Sequence, residues 1–120
     1  MIVALHGAEF FAWHGVYPEE QKTGNYFIVD IEIGFTLAGN IMDDDLNHTV
    51  NYEQLYDIIS QEMKRTKKLI ETVAQAIINQ VRNDYAFVET IQVSIKKLNP
   101  LLGAKTGYSS VVLNYKKENY

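Results

Sequence analysis

The chain has 120 residues, the size of one domain, and 47% of them are hydrophobic, which is enough for a packed core. Its 15 acidic and 11 basic side chains give a net charge of −4, whereas nucleic-acid binding needs a basic surface. It has no cysteine, which excludes disulfides, thiol nucleophiles and thiolate metal sites.

The beginning of the chain does not have the pattern of a targeting segment. Its first residues are apolar, but they lack a basic start and include His6 and Glu9. No window approaches the roughly 18 apolar residues of a membrane-spanning helix. We therefore predict a cytoplasmic protein.

The first part of the chain predicts two strands. Residues 1–12 form the first, and in residues 25–37 apolar side chains recur at every second position. The connection between them, residues 13–24, contains two glycines, a proline and three charged residues. It is long for a hairpin, and such loops are often functional.

The middle of the chain predicts two helices after a polar connector over residues 38–50. Asn51 is a suitable N-cap for a helix over residues 51–66, with Gln54 three residues further on. A second helix over residues 67–83 has a regular apolar stripe.

Two further strands, residues 87–97 and 108–115, complete the pattern. The order ββααββ predicts an α+β fold for a single domain over residues 1–120. We expect a four-stranded antiparallel sheet with two helices on one face. Long strands leave exposed edges, which favours an oligomer in which further copies cover them.

Lys97 continues the face of Ile91, Val93 and Ile95, so a regular strand puts its ammonium at the end of an apolar row. Loss of solvent there favours the neutral amine, which could act as an acid or a base. A strand-end lysine can equally reach water along its aliphatic stem, and the residues alone favour that second interpretation.

Three other positions could carry chemistry. Glu19 or Glu20 could reach a site formed by the first loop, and the hydroxyl of Tyr52, at the start of the first helix, could donate a proton. Glu71 lies in the first turn of the second helix. It either stabilises that helix end or grips a planar donor pair such as a 2-amino-pyrimidinone edge.

The histidines do not predict a metal site. His6, His14 and His48 are scattered and lack paired ligand spacing, so no metal is predicted. The sequence also lacks a phosphate-binding glycine loop, and no other cofactor is predicted. His14, beside Gly15 in a turn, is predicted to be structural. The run Asp43–Asp45 is predicted to be a solvated loop.

Four segments together resemble the dihydroneopterin aldolase family of folate biosynthesis. They lie in the family's order and spacing, at residues 10–31 (FFAWHGVYPEEQKTGNYFIVDI), 44–52 (DDLNHTVNY), 69–74 (LIETVA) and 97–100 (KLNP). The resemblance covers nearly the whole chain. It implies the tunnelling fold, a ring of four subunits, stacking of two rings into a homo-octamer, and active sites between neighbouring subunits.

The resemblance also implies a reaction. The family cleaves 7,8-dihydroneopterin by a retro-aldol step to 6-hydroxymethyl-7,8-dihydropterin and glycolaldehyde, and many members epimerise the side chain at C2′. Neither a metal nor a lysine Schiff base is needed, because the C6=N5 imine of the substrate accepts the electrons. General acid–base groups and a pterin-binding pocket then suffice.

Position by position, the resemblance assigns proton exchange to Lys97 and the ordering of Lys97 and water to Glu20. It assigns protonation of the cleaved intermediate to Tyr52, reaching in from the adjacent subunit. Glu71 would hold the pterin ring. The remaining substrate contacts would be the backbone of Ile70 and the side chain of Val50.

The chain departs from many members at Trp13, at Asn51 and at residues 101–103, where Leu-Leu-Gly replaces further prolines. Two alternatives stay open. A dihydroneopterin triphosphate epimerase would use basic residues for the phosphates, the candidates being Lys96, Lys105 and the residues Lys64, Arg65, Lys67 and Lys68. A catalytically inactive pterin-binding ring protein would not need Lys97 or Tyr52.

Overall fold

The computed structural model describes residues 1–98 and 107–118. The predicted helices and strands are present, with ends shifted by a few residues, and two short 3₁₀ turns lie in the connector over residues 38–50. Residues 99–103 and Lys105, which entered the sequence argument, lie outside the described residues. The elements are β1 (Ile2–Ala12), α1 (Pro18–Thr23), β2 (Asn25–Gly34), α2 (Tyr52–Lys64), α3 (Ile70–Asp84), β3 (Thr90–Leu98) and β4 (Tyr108–Lys116).

The helix α1 corrects the prediction that residues 13–24 form only a loop. Pro18 occupies its first turn, where the missing N–H costs nothing, and Glu19 and Glu20 are also in that turn. Its six residues bury no apolar side chain, so they carry no apolar periodicity. Its signal was therefore only the proline followed by acidic residues.

The sheet has the order β1-β2-β3-β4, and every neighbouring pair is antiparallel. In the register of β2 and β3, Phe27 lies opposite Lys97 and Ile33 lies opposite Ile91. The two outer strands of the described sheet, β1 and β4, are long and leave their outer edges unpaired.

The core lies between one face of the sheet and the two long helices. Each fully buried Val, Leu, Ile or Phe contributes about 1.5–3 kcal/mol, so this layer holds the helices on the sheet. Within the described residues, no helix combines the length and apolar character needed to cross a membrane. The central buried side chains are Phe27, Val29, Ile31, Ile33, Leu55, Ile59, Val73, Ile77, Ile78, Val81, Ile91, Val93 and Ile95.

Asn51 caps the start of α2 as predicted, but Gln54 bonds to a partner other than Asn51. The side chain of Asn51 accepts a hydrogen bond from the N–H of Glu53 at 2.9 Å. Gln54 does not return to Asn51. The hydroxyl of Tyr85 stands between them, accepting from the N–H of Asn51 at 3.3 Å and donating to Oε1 of Gln54 at 2.5 Å.

Candidate active site

An ion pair between Lys97 and Glu20 forms the centre of the candidate site. Their side chains are 14% and 10% exposed, and the ammonium of Lys97 donates a hydrogen bond to Oε2 of Glu20. The interpretation of Lys97 as a solvated strand-end lysine, favoured by the residues alone, is therefore wrong. The ammonium at the end of the apolar row is also not isolated, because a carboxylate compensates its charge.

Glu20 reaches Lys97 because of the backbone around it. Its Oε1 accepts the N–H of Tyr17 at 3.3 Å, which fixes the carboxylate over the start of α1. Gly15 lies directly beneath: a Cβ there would come within 2.5 Å of the Cβ of Glu20 and 2.8 Å of its Oε1. Only a residue without a side chain leaves room for this carboxylate.

The end of β3 that carries Lys97 is held from the neighbouring strand. The side-chain amide (Nδ2) of Asn25, the first residue of β2, donates to the carbonyl oxygen of Leu98. This bond continues the ladder beyond the last regular pair and fixes the backbone beside Lys97.

His14 is buried behind the ion pair and is 1% exposed. Its Nδ1 accepts the N–H of Lys67 at 3.0 Å, and its ring packs edge-on against Phe27. Burial lowers the pKa of His14; the backbone of Met63 opposes this shift, and the positive charges of Lys97 and Lys67 add to it. The ring is therefore neutral at pH 7.

Ile70 and Glu71 begin α3, as the sequence predicts for Glu71. Ile70 packs partly against the core, whereas the carboxylate of Glu71 is exposed. The N-cap residue, Leu69, has no side-chain hydrogen bond to the first turn. The positive end of the helix dipole thus favours the Glu71 carboxylate where it stands.

Tyr52 and Val50 lie at the N-terminal end of α2. Tyr52 is 61% exposed and Val50 is buried, and both line a cleft with Val3, Leu46, Thr49, Asn51 and Glu53. The 13 residues of α2 extend over about 20 Å, and its C-terminal end, not its start, lies beside His14. Within one chain, Tyr52 is therefore far from Lys97.

Two neighbouring charged residues stay outside this arrangement. Glu19 is exposed on α1, and the resemblance assigns it no role. The ammonium of Lys96 lies 5.4 Å from the ring centre of Tyr108. In the described ranges, no group of three or more His, Asp or Glu side chains is arranged to hold a metal ion.

Sequence reasoning missed the roles of Gly15 and Asn25. The residues alone left open whether Glu19 or Glu20 reaches the site, and the resemblance assigned Glu20 to Lys97. The nearest sequence signal was the pair His14-Gly15 followed by a proline and two glutamates. The contacts themselves join residues 77 and 73 positions apart, so no local pattern indicates them.

Comparisons with known proteins identify the family of the chain. Residues 3–114 match the family model of FolB, dihydroneopterin aldolase. The chain is 38% identical over 99 residues to dihydroneopterin aldolase of Streptococcus pyogenes serotype M1, covering 82% of this chain and 83% of that protein.

Solved structures show the same fold at lower identity. The E. coli dihydroneopterin aldolase in complex with neopterin has a TM-score of 0.86 at 17% identity, covering 96% of this chain and 98% of that one. A Burkholderia dihydroneopterin aldolase bound to guanine has a TM-score of 0.79 at 16% identity, covering 98% and 92%. These likenesses confirm the α+β tunnelling fold. By the family match and the identity to its relatives, the chain belongs to the dihydroneopterin aldolase family.

Proposed function

We propose that this aldolase converts 7,8-dihydroneopterin into 6-hydroxymethyl-7,8-dihydropterin and glycolaldehyde, with Lys97 exchanging protons with the substrate. The observation that carries the proposal is the contact between Lys97 and Glu20, two largely buried groups of opposite charge. Such a pair can hold or release a proton at a fixed position, which general acid–base catalysis requires.

The proposed step needs one proton to leave and one to return. Lys97, through ordered water held by Glu20, removes the proton of the C2′ hydroxyl, and the C1′–C2′ bond breaks. A carbonyl forms at C2′, and the electron pair passes through C1′ and C6 to the imine nitrogen N5. A proton delivered to C1′ then completes the hydroxymethyl product, so neither a metal nor a Schiff base takes part.

We assign pterin binding to Glu71, Ile70 and Val50. The carboxylate of Glu71 would accept two parallel hydrogen bonds from the 2-amino group and a ring N–H, which is a strong, oriented contact. Support comes from its fixed place in the first turn of α3. Tyr52 would protonate the cleaved intermediate.

The separation of the residues along α2 supports a site shared between two copies of the chain. Tyr52 and Val50 lie about 20 Å from the end of α2 beside His14, so a neighbouring subunit would supply them. The free edges of β1 and β4 can pair in a closed ring. We propose a tetrameric ring, two of which stack into a homo-octamer, in the cytoplasm.

The test is to incubate the purified protein with 7,8-dihydroneopterin in EDTA and to separate the pterins by chromatography. We expect 6-hydroxymethyl-7,8-dihydropterin with an equal amount of glycolaldehyde. Lys97→Ala should slow the reaction by a factor on the order of 100 or more, whereas Lys96→Ala, its neighbour on the other face, should not.

Other outcomes would contradict the proposal. If the only product were dihydromonapterin, the C2′ epimer of the substrate, the protein would be an epimerase. A strong preference for the triphosphorylated substrate would indicate the triphosphate epimerase. Tight pterin binding without turnover would indicate an inactive ring protein. Activity that disappears in EDTA and returns with a metal would refute the metal-free mechanism.

We also propose a C2′ epimerase side activity, in which glycolaldehyde adds back on its other face before the intermediate is protonated. Tyr52→Phe should then reduce cleavage more than epimerisation, because only cleavage needs the final protonation. Measuring both products in one reaction gives the ratio. An equal loss of both would remove Tyr52 from this role.

A further inference from the structure

Two hydrogen bonds join the loop after β1 to the loop between α2 and α3. The N–H of Gly15 donates to the carbonyl oxygen of Lys67 at 3.0 Å, and the N–H of Lys67 donates to Nδ1 of His14 at 3.0 Å. We call these two bonds the His14–Lys67 clasp.

The clasp depends on the imidazole of His14 as an acceptor. Because Nδ1 accepts the N–H of Lys67, the ring proton resides on Nε2. Nε2 is buried and has no hydrogen-bond partner among the described residues. A hydrophobic side chain could fill this volume, so the acceptor is what histidine adds.

On one side, the clasp reaches the acid–base pair. Gly15, whose N–H takes part, lies beneath the carboxylate of Glu20, which contacts Lys97. Phe27, against which the His14 ring packs, is the register partner of Lys97.

On the other side, the clasp reaches the residues assigned to the pterin. Lys67 precedes Ile70 by three residues and Glu71 by four, a chain length of at most about 14 Å. The position of Lys67 therefore limits where α3 can begin and where the Glu71 carboxylate can stand.

We propose that His14 is a positioning residue for the aldolase reaction: by holding Lys67, it sets the distance between the Lys97–Glu20 pair and Glu71. This inference rests on the proposed function, in which Lys97 and Glu71 act on one substrate molecule. It follows from the fact that a displacement of about 1 Å of reacting groups can cost on the order of 100-fold in rate.

The first test compares His14→Leu with His14→Asn. The Oδ1 of asparagine occupies nearly the place of Nδ1 and can accept from Lys67, whereas leucine cannot. We expect His14→Leu to lower kcat on the order of 100-fold and His14→Asn to recover most of that loss. His6→Leu, at an exposed histidine of β1, is the matched control and should keep the activity of the unaltered enzyme.

The second test separates positioning from general structural support. Affinity for neopterin is measured with and without Glu71→Gln, in the unaltered enzyme and in His14→Leu. Glu71→Gln should weaken binding about tenfold or more in the unaltered enzyme, but clearly less in His14→Leu, where the carboxylate is already displaced. If His14→Leu does not fold, His14→Gln, which moves the acceptor away from the Nδ1 position, takes its place.

Each outcome decides the matter. Equal rates for the leucine and asparagine variants, or independent effects of His14 and Glu71, would overturn the role of His14 while leaving the proposed function intact. An unaltered enzyme that does not cleave dihydroneopterin would overturn the proposed function, and this inference with it.

Discussion

The contact between Glu20 and Lys97 depends on the absence of a side chain at Gly15. The atoms of Glu20 lie 2.5–2.8 Å from where a Cβ of residue 15 would stand, closer than real Cβ contacts occur. The backbone of Gly15 is outside the left-handed region, so alanine is permitted there by its dihedral angles. The constraint at this position is the space that Glu20 occupies.

We therefore predict that Gly15→Ala reduces activity while the chain still folds. The new Cβ should displace the carboxylate from Lys97, lowering kcat by about 10- to 100-fold with little change in KM. Gly107→Ala is the matched control, because a Cβ there meets no atom of the described residues within 4 Å. Unchanged kcat in Gly15→Ala would show that the placement of Glu20 does not matter for catalysis.

The protonation of His14 should make stability depend on pH. Burial lowers its pKa in the folded chain below the usual 6.5, so the unfolded chain binds this proton first as the pH falls. The stability that neutral His14 contributes is complete above about pH 6.5 and is lost progressively below it.

Thermal unfolding between pH 7.5 and pH 5.5 checks this expectation. The unaltered protein should lose more stability over that interval than His14→Asn, which cannot titrate at this position. His6 and His48 are present in both proteins and cancel in the comparison. The same pH dependence in both would contradict the assignment to His14.

At the level of elements, the hydroxyl of Tyr85 ties α3 to the start of α2. Tyr85 is the C-cap residue of α3 and 8% exposed, and its hydroxyl joins the N–H of Asn51 to the side chain of Gln54. It thereby holds the first turn of α2, where Tyr52 begins the helix.

Tyr85→Phe should destabilise the protein by about 1–3 kcal/mol, because it leaves the half-buried N–H of Asn51 without its partner. Loosening the first turn of α2 should also lower cleavage relative to epimerisation through Tyr52. Thermal unfolding and product ratios measure the two effects. Tyr56→Phe, at an exposed tyrosine of α2, is the control. Equal stability of the two variants would refute the role of the Tyr85 hydroxyl.

At the scale of the whole molecule, α2 is about 20 Å long and separates Tyr52 from Lys97 within one chain. A site shared between subunits can therefore be tested by mixing two variants. Lys97→Ala and Tyr52→Phe each remove one residue from every site in a uniform oligomer. When the two are co-assembled at equal amounts, about a quarter of the sites should combine both intact residues. Cleavage should recover accordingly.

The control is to mix the separately purified, assembled oligomers without exchange of subunits, which should show no recovery. If co-assembly also gives only the average of the two variants, Tyr52 and Lys97 come from the same chain or do not act together. Activity that does not rise on co-assembly would therefore overturn the proposal of a site between subunits.

The sequence by itself determined the elements that have a regular apolar period. The alternation in β2 and the stripe of α3 depend only on residues close in the chain, so their type and approximate position follow from local pattern. The short α1 buries no apolar side chain and escaped this reasoning. The residues alone singled out Lys97, Glu20, Tyr52 and Glu71 as candidates, and the resemblance to a family added their roles together with Ile70 and Val50.

The tertiary structure alone decided which distant residues meet. Strand register brings Lys97 opposite Phe27, and the path of the first loop brings Glu20 to Lys97 and His14 to Lys67. It also separates Tyr52 from Lys97 by the length of α2. Such contacts follow from how the helices and loops pack on the sheet, and packing is a property of the assembled chain that no local period encodes.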